Sequence, residues 1–180
     1  MFFDLSRLKY LGKNVIIGKT VRIRHPELVE IGDNSIIDDF TYISTSMKIG
    51  KCCHIAAGVN ISGGAGFVEM GNYVAISAGC SIHAASSDYI SASLDYPSVP
   101  EELRFGGVIE NILFSDFVLL GAHSVVLPGA YLPEGFASGA KTIVRNKKYD
   151  SWSLYAGEDA KLVCKRANGR INKLKDTGLL

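Results

Sequence analysis

Residues 31–61 read IGDNSIIDDFTYISTSMKIGKCCHIAAGVNI, and isoleucine recurs at Ile31, Ile37, Ile43, Ile49, Ile55 and Ile61. A step of six fits neither the helical period nor the alternation of one long strand. It fits a strand of about four residues followed by a turn, repeated. The pattern extends backward through Leu11, Ile17 and Ile23, and forward through Met70, Ile76 and Ile82. After a long gap it resumes at Phe114, Leu120, Val126, Leu132, Ser138 and Val144, where only Ser138 is off type. Two residues before the anchors stand small apolar or hydroxyl residues such as Val21, Ser35, Thr41, Cys53, Val59 and Cys80. Alternation puts both positions on the inner face of a strand. Glycine follows many anchors (Gly12, Gly18, Gly32, Gly50, Gly71, Gly121, Gly139), as expected where a turn needs positive φ.

The chain has 180 residues, 47% apolar and 21% charged, which fits one globular domain spanning 1–180 and excludes a disordered chain. No apolar run is long enough for a membrane span, and the first residues lack the order of a signal peptide, so a cytoplasmic protein is expected. Cys52, Cys53, Cys80 and Cys164 show no CxxC spacing and are read as reduced thiols, Cys53 and Cys80 as small core residues. Charge is uneven: residues 1–140 carry a net −5 and residues 141–180 a net +6. A basic end on an acidic body points to a local anionic partner rather than to a nucleic-acid surface throughout.

Two segments break the period. The insert at 62–69 is short and glycine-rich, whereas 83–113 runs 31 residues without the repeat. Loops of that length in a compact domain are mostly functional or disordered. Asp88, Tyr89, Asp95, Tyr96, Pro97, Pro100, Arg104, Gly106 and Gly107 give this one the composition of an ordered lid. The coils are therefore assigned to 11–82 and 114–147, the inserted loop to 83–113 and a C-terminal segment to 148–180. In that last segment a short helix is expected from Glu158 to Cys164, packing Leu162 on the stack. Trp152 and Tyr155 are expected to anchor the crossing, and residues 168–180 to fray.

The repeats resemble those of the hexapeptide-repeat acyltransferases, over roughly residues 11–166. The stretch LLGAHSVVLPGAYLPEGFASGAK (119–141) and the later YAGEDAK (155–161) are similar to the galactoside and maltose acetyltransferase group, except that Asp159 replaces the usual proline. The resemblance implies an all-β fold: a left-handed parallel β-helix of about six triangular coils, with a long inserted loop and a short C-terminal helix. It also implies a homotrimer with active sites between subunits, and an acetyl-CoA-dependent transfer to a sugar, associated with surface polysaccharide. No metal is required. The acyl donor would lie against backbone near Ala122 and Ala140, with its phosphates meeting Arg145, Lys161 or Arg166.

Acyl transfer from a thioester needs a base for the acceptor proton and donors for the oxyanion. His54 precedes an anchor, so alternation turns it outward, where it could be a general base facing a neighbouring subunit or a plain surface contact. His83 opens the long loop. The family's catalytic histidine falls further into that loop, where this chain has Ser87, so His83 stands as a displaced candidate. Asp88 could orient an imidazole, hold a sugar hydroxyl, or simply be a solvated loop carboxylate. His25 is read as a turn residue and His123 as surface. A sugar hydroxyl needs a well-placed base and a sugar amine needs less help, which leaves O-transfer to a sugar and N-transfer to a nucleotide-linked amino sugar both open. A zinc hydratase of this fold would need three convergent histidines, and the close pair is missing. A non-catalytic trimeric scaffold has the same repeat but accounts for neither the loop nor the basic end.

Overall fold

The computed structural model describes residues 3–180, and the repeat becomes a triangular parallel β-helix. The first face stacks Tyr10–Leu11, Val29–Ile31, Ser46–Ile49, Phe67–Met70, Ile112–Phe114 and Tyr131–Leu132. The second stacks Ile16–Ile17, Ile36–Ile37, His54–Ile55, Ala75–Ile76, Leu119–Leu120 and Ala137–Ser138. The third stacks Arg22–Ile23, Tyr42–Ile43, Asn60–Ser62, Ser81–His83, Val125–Val126 and Ile143–Val144. Six coils result, each strand pairing in parallel with the same strand of the next coil.

The anchors fill the prism. From Ile23 to Val144 each is at most 7% exposed, and Ser138, the polar exception, shares hydrogen bonds with Ser124 and the Gly121 amide. Leu11 and Ile17 are less covered because the first coil has a neighbour on one side only. Phe136, Tyr149 and Tyr155 close the other end, with ring centroids 5.0 to 5.3 Å apart.

The glycines that follow the anchors serve a different purpose from the one expected. They do not hold positive φ; two residues after Gly12, Gly32, Gly50, Gly71, Gly121 and Gly139, Asn14, Asn34, Cys52, Tyr73, His123 and Lys141 do. What Gly32 provides is close approach, since a Cβ there would lie 2.6 Å from the Gly50 carbonyl carbon of the next coil. The polar residue two positions after the anchor staples the coils: Asp33 accepts from the Lys13 amide (2.7 Å), Asn72 from the Lys51 amide (3.0 Å) and Asp116 from the Asn72 amide (2.7 Å).

The C-terminal segment departs from expectation at two points. Residues Lys161–Lys165 form an antiparallel strand beside Ser153–Ala156, not a helix, and Leu162 is 53% exposed. Lysines at both ends of this last strand, Lys161 and Lys165, suit the open sheet edge, where charge discourages further pairing. The helix falls at Gly169–Asp176 instead, within the stretch expected to fray. Trp152 and Tyr155 anchor the crossing as expected, one in an aromatic stack and the other buried.

Candidate active site

The loop leaves the third face after His83 and returns to the first at Ile112. Its base is an antiparallel ribbon in which Ala85 pairs with Ile109 and Ser86 with Val108. Further out, Leu94 bridges Phe105, and the Arg104 side chain donates to the Val99 and Pro97 carbonyls at 2.7 and 2.9 Å. The loop is thus folded on itself, and between it and the Gly64–Ala65 turn lies a cavity of about 550 Å³. Gly63 and Gly66 flank that turn, where a Cβ on either would collide with Ala84 at the root of the loop.

Among the described residues, one carboxylate lines this cavity. Asp95 is half-buried, its Oδ1 accepts from Ser93 Oγ (3.2 Å), and Ser86, Ser87, Tyr96 and Arg104 share the lining. Gly107, at φ +81°, lets the carboxylate approach: an added Cβ would lie 2.5 Å from Asp95 Oδ2. In the sequence Asp95 is legible only as loop composition, because nothing local marks a carboxylate as convergent with residues twelve positions on.

The expected catalytic residues are not brought together there. His83 sits at the loop root, half-buried, with Nδ1 2.8 Å from Ser62 Oγ. Burial holds its pKa below the usual imidazole value, so the ring is neutral near pH 7. Asp88 is committed to a local turn: its carboxylate accepts from Ser91 Oγ and from the Ser91 and Ile90 amides, which hold it below the usual carboxylate range. His54 points outward from the second face, as alternation requires, with Nε2 2.8 Å from Asp38 Oδ2. Cys53 is buried, and desolvation pushes its thiol up to about 11, the opposite of an activated nucleophile.

The candidate donor-binding residues are spread over different corners. Ala122 and Ala140 lie one above the other where the second face turns into the third, joined by the Lys141 amide bonding the Ala122 carbonyl (2.8 Å). Lys161 is near this corner, opposite Ala156 on the last strand, and exposed. Arg145 lies at the far end of the third face, its backbone bonded twice to the Tyr149 hydroxyl. Arg166 is at the corner between the first and second faces, over the Trp152 ring and donating to the Gly135 carbonyl.

No family profile matches the chain. It is 30% identical over 163 residues to the dTDP-4-amino-4,6-dideoxy-D-glucose acyltransferase of Escherichia coli, covering 88% of this chain and 83% of that protein. Its fold superposes with a TM-score of 0.88 on AntD, an N-acyltransferase from Bacillus cereus in complex with dTDP and 3-hydroxybutyryl-CoA. That match is 31% identical and covers 97% of this chain and 91% of AntD. A maltose O-acetyltransferase from Clostridium difficile 630 shares the fold alone, at TM-score 0.56 and 14% identity over 90% of this chain and 72% of that one. With the coil stack, the loop cavity and a relative of this identity along nearly its whole length, the chain belongs to the hexapeptide-repeat sugar acyltransferases.

Proposed function

We propose that this enzyme acylates the amine of a nucleotide-linked amino sugar from an acyl-CoA donor, in the loop cavity. The observation that carries the reading is Asp95, among the described residues the one carboxylate in a cavity otherwise lined by glycines and alanines, by Ser86, Ser87, Tyr96 and Arg104, and by the apolar Pro97, Phe105, Val108 and Ile109. A sugar amine is largely an ammonium near neutral pH, so a carboxylate both attracts it and accepts the proton that frees its lone pair. The neutral amine attacks the thioester carbonyl, a C–N bond forms, and the tetrahedral adduct collapses with loss of the C–S bond. The amide leaves with coenzyme A thiol, the second amine proton ending on sulfur. Backbone amides at the coil corner and the Ser86 and Ser87 hydroxyls supply donors for the oxyanion. The similarity to dTDP-amino-sugar acyltransferases supports the same acceptor class.

Ala122 and Ala140 are the seat proposed for the pantetheine arm, Lys161 for the nearest phosphate, and Arg145 and Arg166 for the more distant ones. The working unit is a trimer packed on the second face. Its outward row runs Ile16, Ile36, His54, Ala75 and Leu119, with Ile16 60% and Leu119 40% exposed. The first face, by contrast, carries the Lys48–Glu69 and Lys9–Glu30 ion pairs and suits solvent. The cytoplasm, where thioester donors and nucleotide sugars are available, is the proposed compartment.

A second reading, O-transfer, is favoured by the Asp38–His54 pair, since a carboxylate-oriented imidazole is what a hydroxyl acceptor requires. Thiol release from acyl-CoA separates the two, with dTDP-linked 4-amino sugars set against free hexoses. Asp95→Asn should lower kcat on the amino sugar by about 10²–10⁴-fold, while His54→Asn leaves it within about tenfold. Turnover of hexoses alone, abolished by His54→Asn, would overturn N-transfer in favour of the second reading.

A further inference from the structure

A second cavity, of about 380 Å³, lies at the corner between the second and third faces, lined by Thr20, Arg22, Phe40, Thr41 and Tyr42. Phe40 has φ +62° and is 73% exposed, an unfavourable combination for a bulky residue in a turn. The turn is built to hold it there: the Phe40 amide donates to Thr20 Oγ1 (2.9 Å), and Thr20 Oγ1 donates to Asp39 Oδ1 (2.7 Å). In the next two coils the same corner position is Gly58, then Gly79. A Cβ on Gly58 would meet nothing within 4 Å, so the space beside the Phe40 ring is open. Arg22 lies over the Tyr42 ring, 5.9 Å from its centroid, and takes part in no ion pair among the described residues.

The shelf and the loop cavity lie at opposite edges of the third face. Five residues separate Phe40 from Thr45, a path of roughly 16 Å in extended chain. Thr45 Oγ1 reaches the Gly64 carbonyl (3.4 Å), and Gly64 borders the loop cavity. That span is comparable to the reach of an extended nucleoside diphosphate.

We infer that the Phe40–Tyr42 shelf seats the nucleobase of the acceptor, with Arg22 on its phosphates, while the sugar reaches across the third face to the loop cavity. The inference rests on the acceptor class proposed above. An aromatic face stacks a base at little cost in specificity, and an unpaired guanidinium is the natural partner for a phosphate.

Calorimetric titration with dTDP alone tests it, on wild type, Phe40→Ala, Phe40→Tyr and Arg22→Ala, with light scattering for oligomeric state. Phe40→Ala should weaken dTDP about ten- to hundredfold, and Phe40→Tyr should restore it. Arg22→Ala should weaken it and flatten its salt dependence, with acyl-CoA binding unchanged in all. Wild type that does not bind dTDP, or variants that bind it as wild type does, would overturn the assignment. So would a Phe40→Ala chain that changes oligomeric state, which would make the shelf a subunit contact. If dTDP binding depends on Phe40 but no amino sugar is acylated, the proposed reaction fails and the shelf stands.

Discussion

Asp95 and His83 show how differently the same coil stack treats two ionisable side chains. Asp95 is held by Ser93 and by the bare backbone of Gly107. Gly107→Ala should therefore push the carboxylate aside and strain a φ of +81°, lowering kcat on the amino sugar tenfold or more and the stability of the chain by about 1–3 kcal/mol. Steady-state rates beside a melting curve check both halves. His83 carries a pH signature instead. Its folded-state pKa lies below the ordinary 6.5, so the unfolded chain binds the extra proton first. Stability is thus unaffected above 6.5, falls as pH drops through that value, and levels off below the folded pKa. Melting curves across this window should lose part of their downward slope in His83→Asn, whose amide keeps a partner for Ser62 without titrating. A slope unchanged by the substitution would assign it to other groups.

Among the elements, the corner between the first and second faces carries a ladder of rings. Tyr73 stacks on Phe117 (5.1 Å, 2°), Phe117 on Trp152 (5.8 Å), and Lys175 of the C-terminal helix lies 4.9 Å from the centre of the Phe117 ring. Gly135 makes room for this: a Cβ there would lie 2.5 Å from Trp152 Cε3, and the residue holds φ +68°. Gly135→Ala should eject Trp152 and loosen the helix, costing about 1–3 kcal/mol through strain and lost stacking. Denaturant unfolding measures the cost, and faster proteolysis after residue 166 would report the released helix. The inserted loop is the other self-contained element, tied through its Ser86–Val108 ribbon and Arg104. Arg104→Ala should raise KM for the acceptor more than for the donor, because the guanidinium holds the loop that lines the proposed acceptor cavity.

At the scale of the molecule, each coil rests on its neighbours, so the centre is supported from both sides and the ends from one. Ile55, fully buried in the third coil, should cost about 2–5 kcal/mol when truncated to alanine, and Ile17 in the first coil clearly less. Chemical denaturation of the two variants makes the comparison directly. Equal losses would mean that the first coil is buttressed by another subunit, which would itself support packing on the second face.

How much of this was legible beforehand follows from the range over which each feature is specified. The anchors from Leu11 to Val144, the outward turn of His54 and the buried cysteines depend on strand alternation within a few residues, so the amino-acid order alone determined them. The glycine after many of the anchors was visible, but its purpose was not. Close approach to the coil above involves a residue about twenty positions away, and only stacking reveals it. The same holds for the strand at Lys161–Lys165, chosen by the open edge of Ser153–Ala156 over any local helical preference. The proposed active site lies furthest from local pattern. Asp95 meets Gly107 and Arg104 because a non-periodic loop folds back on itself, and Phe40 faces open space because Gly58 belongs to the next coil. Periodic burial is written in neighbouring residues, whereas a cavity exists only once distant backbone has closed around it.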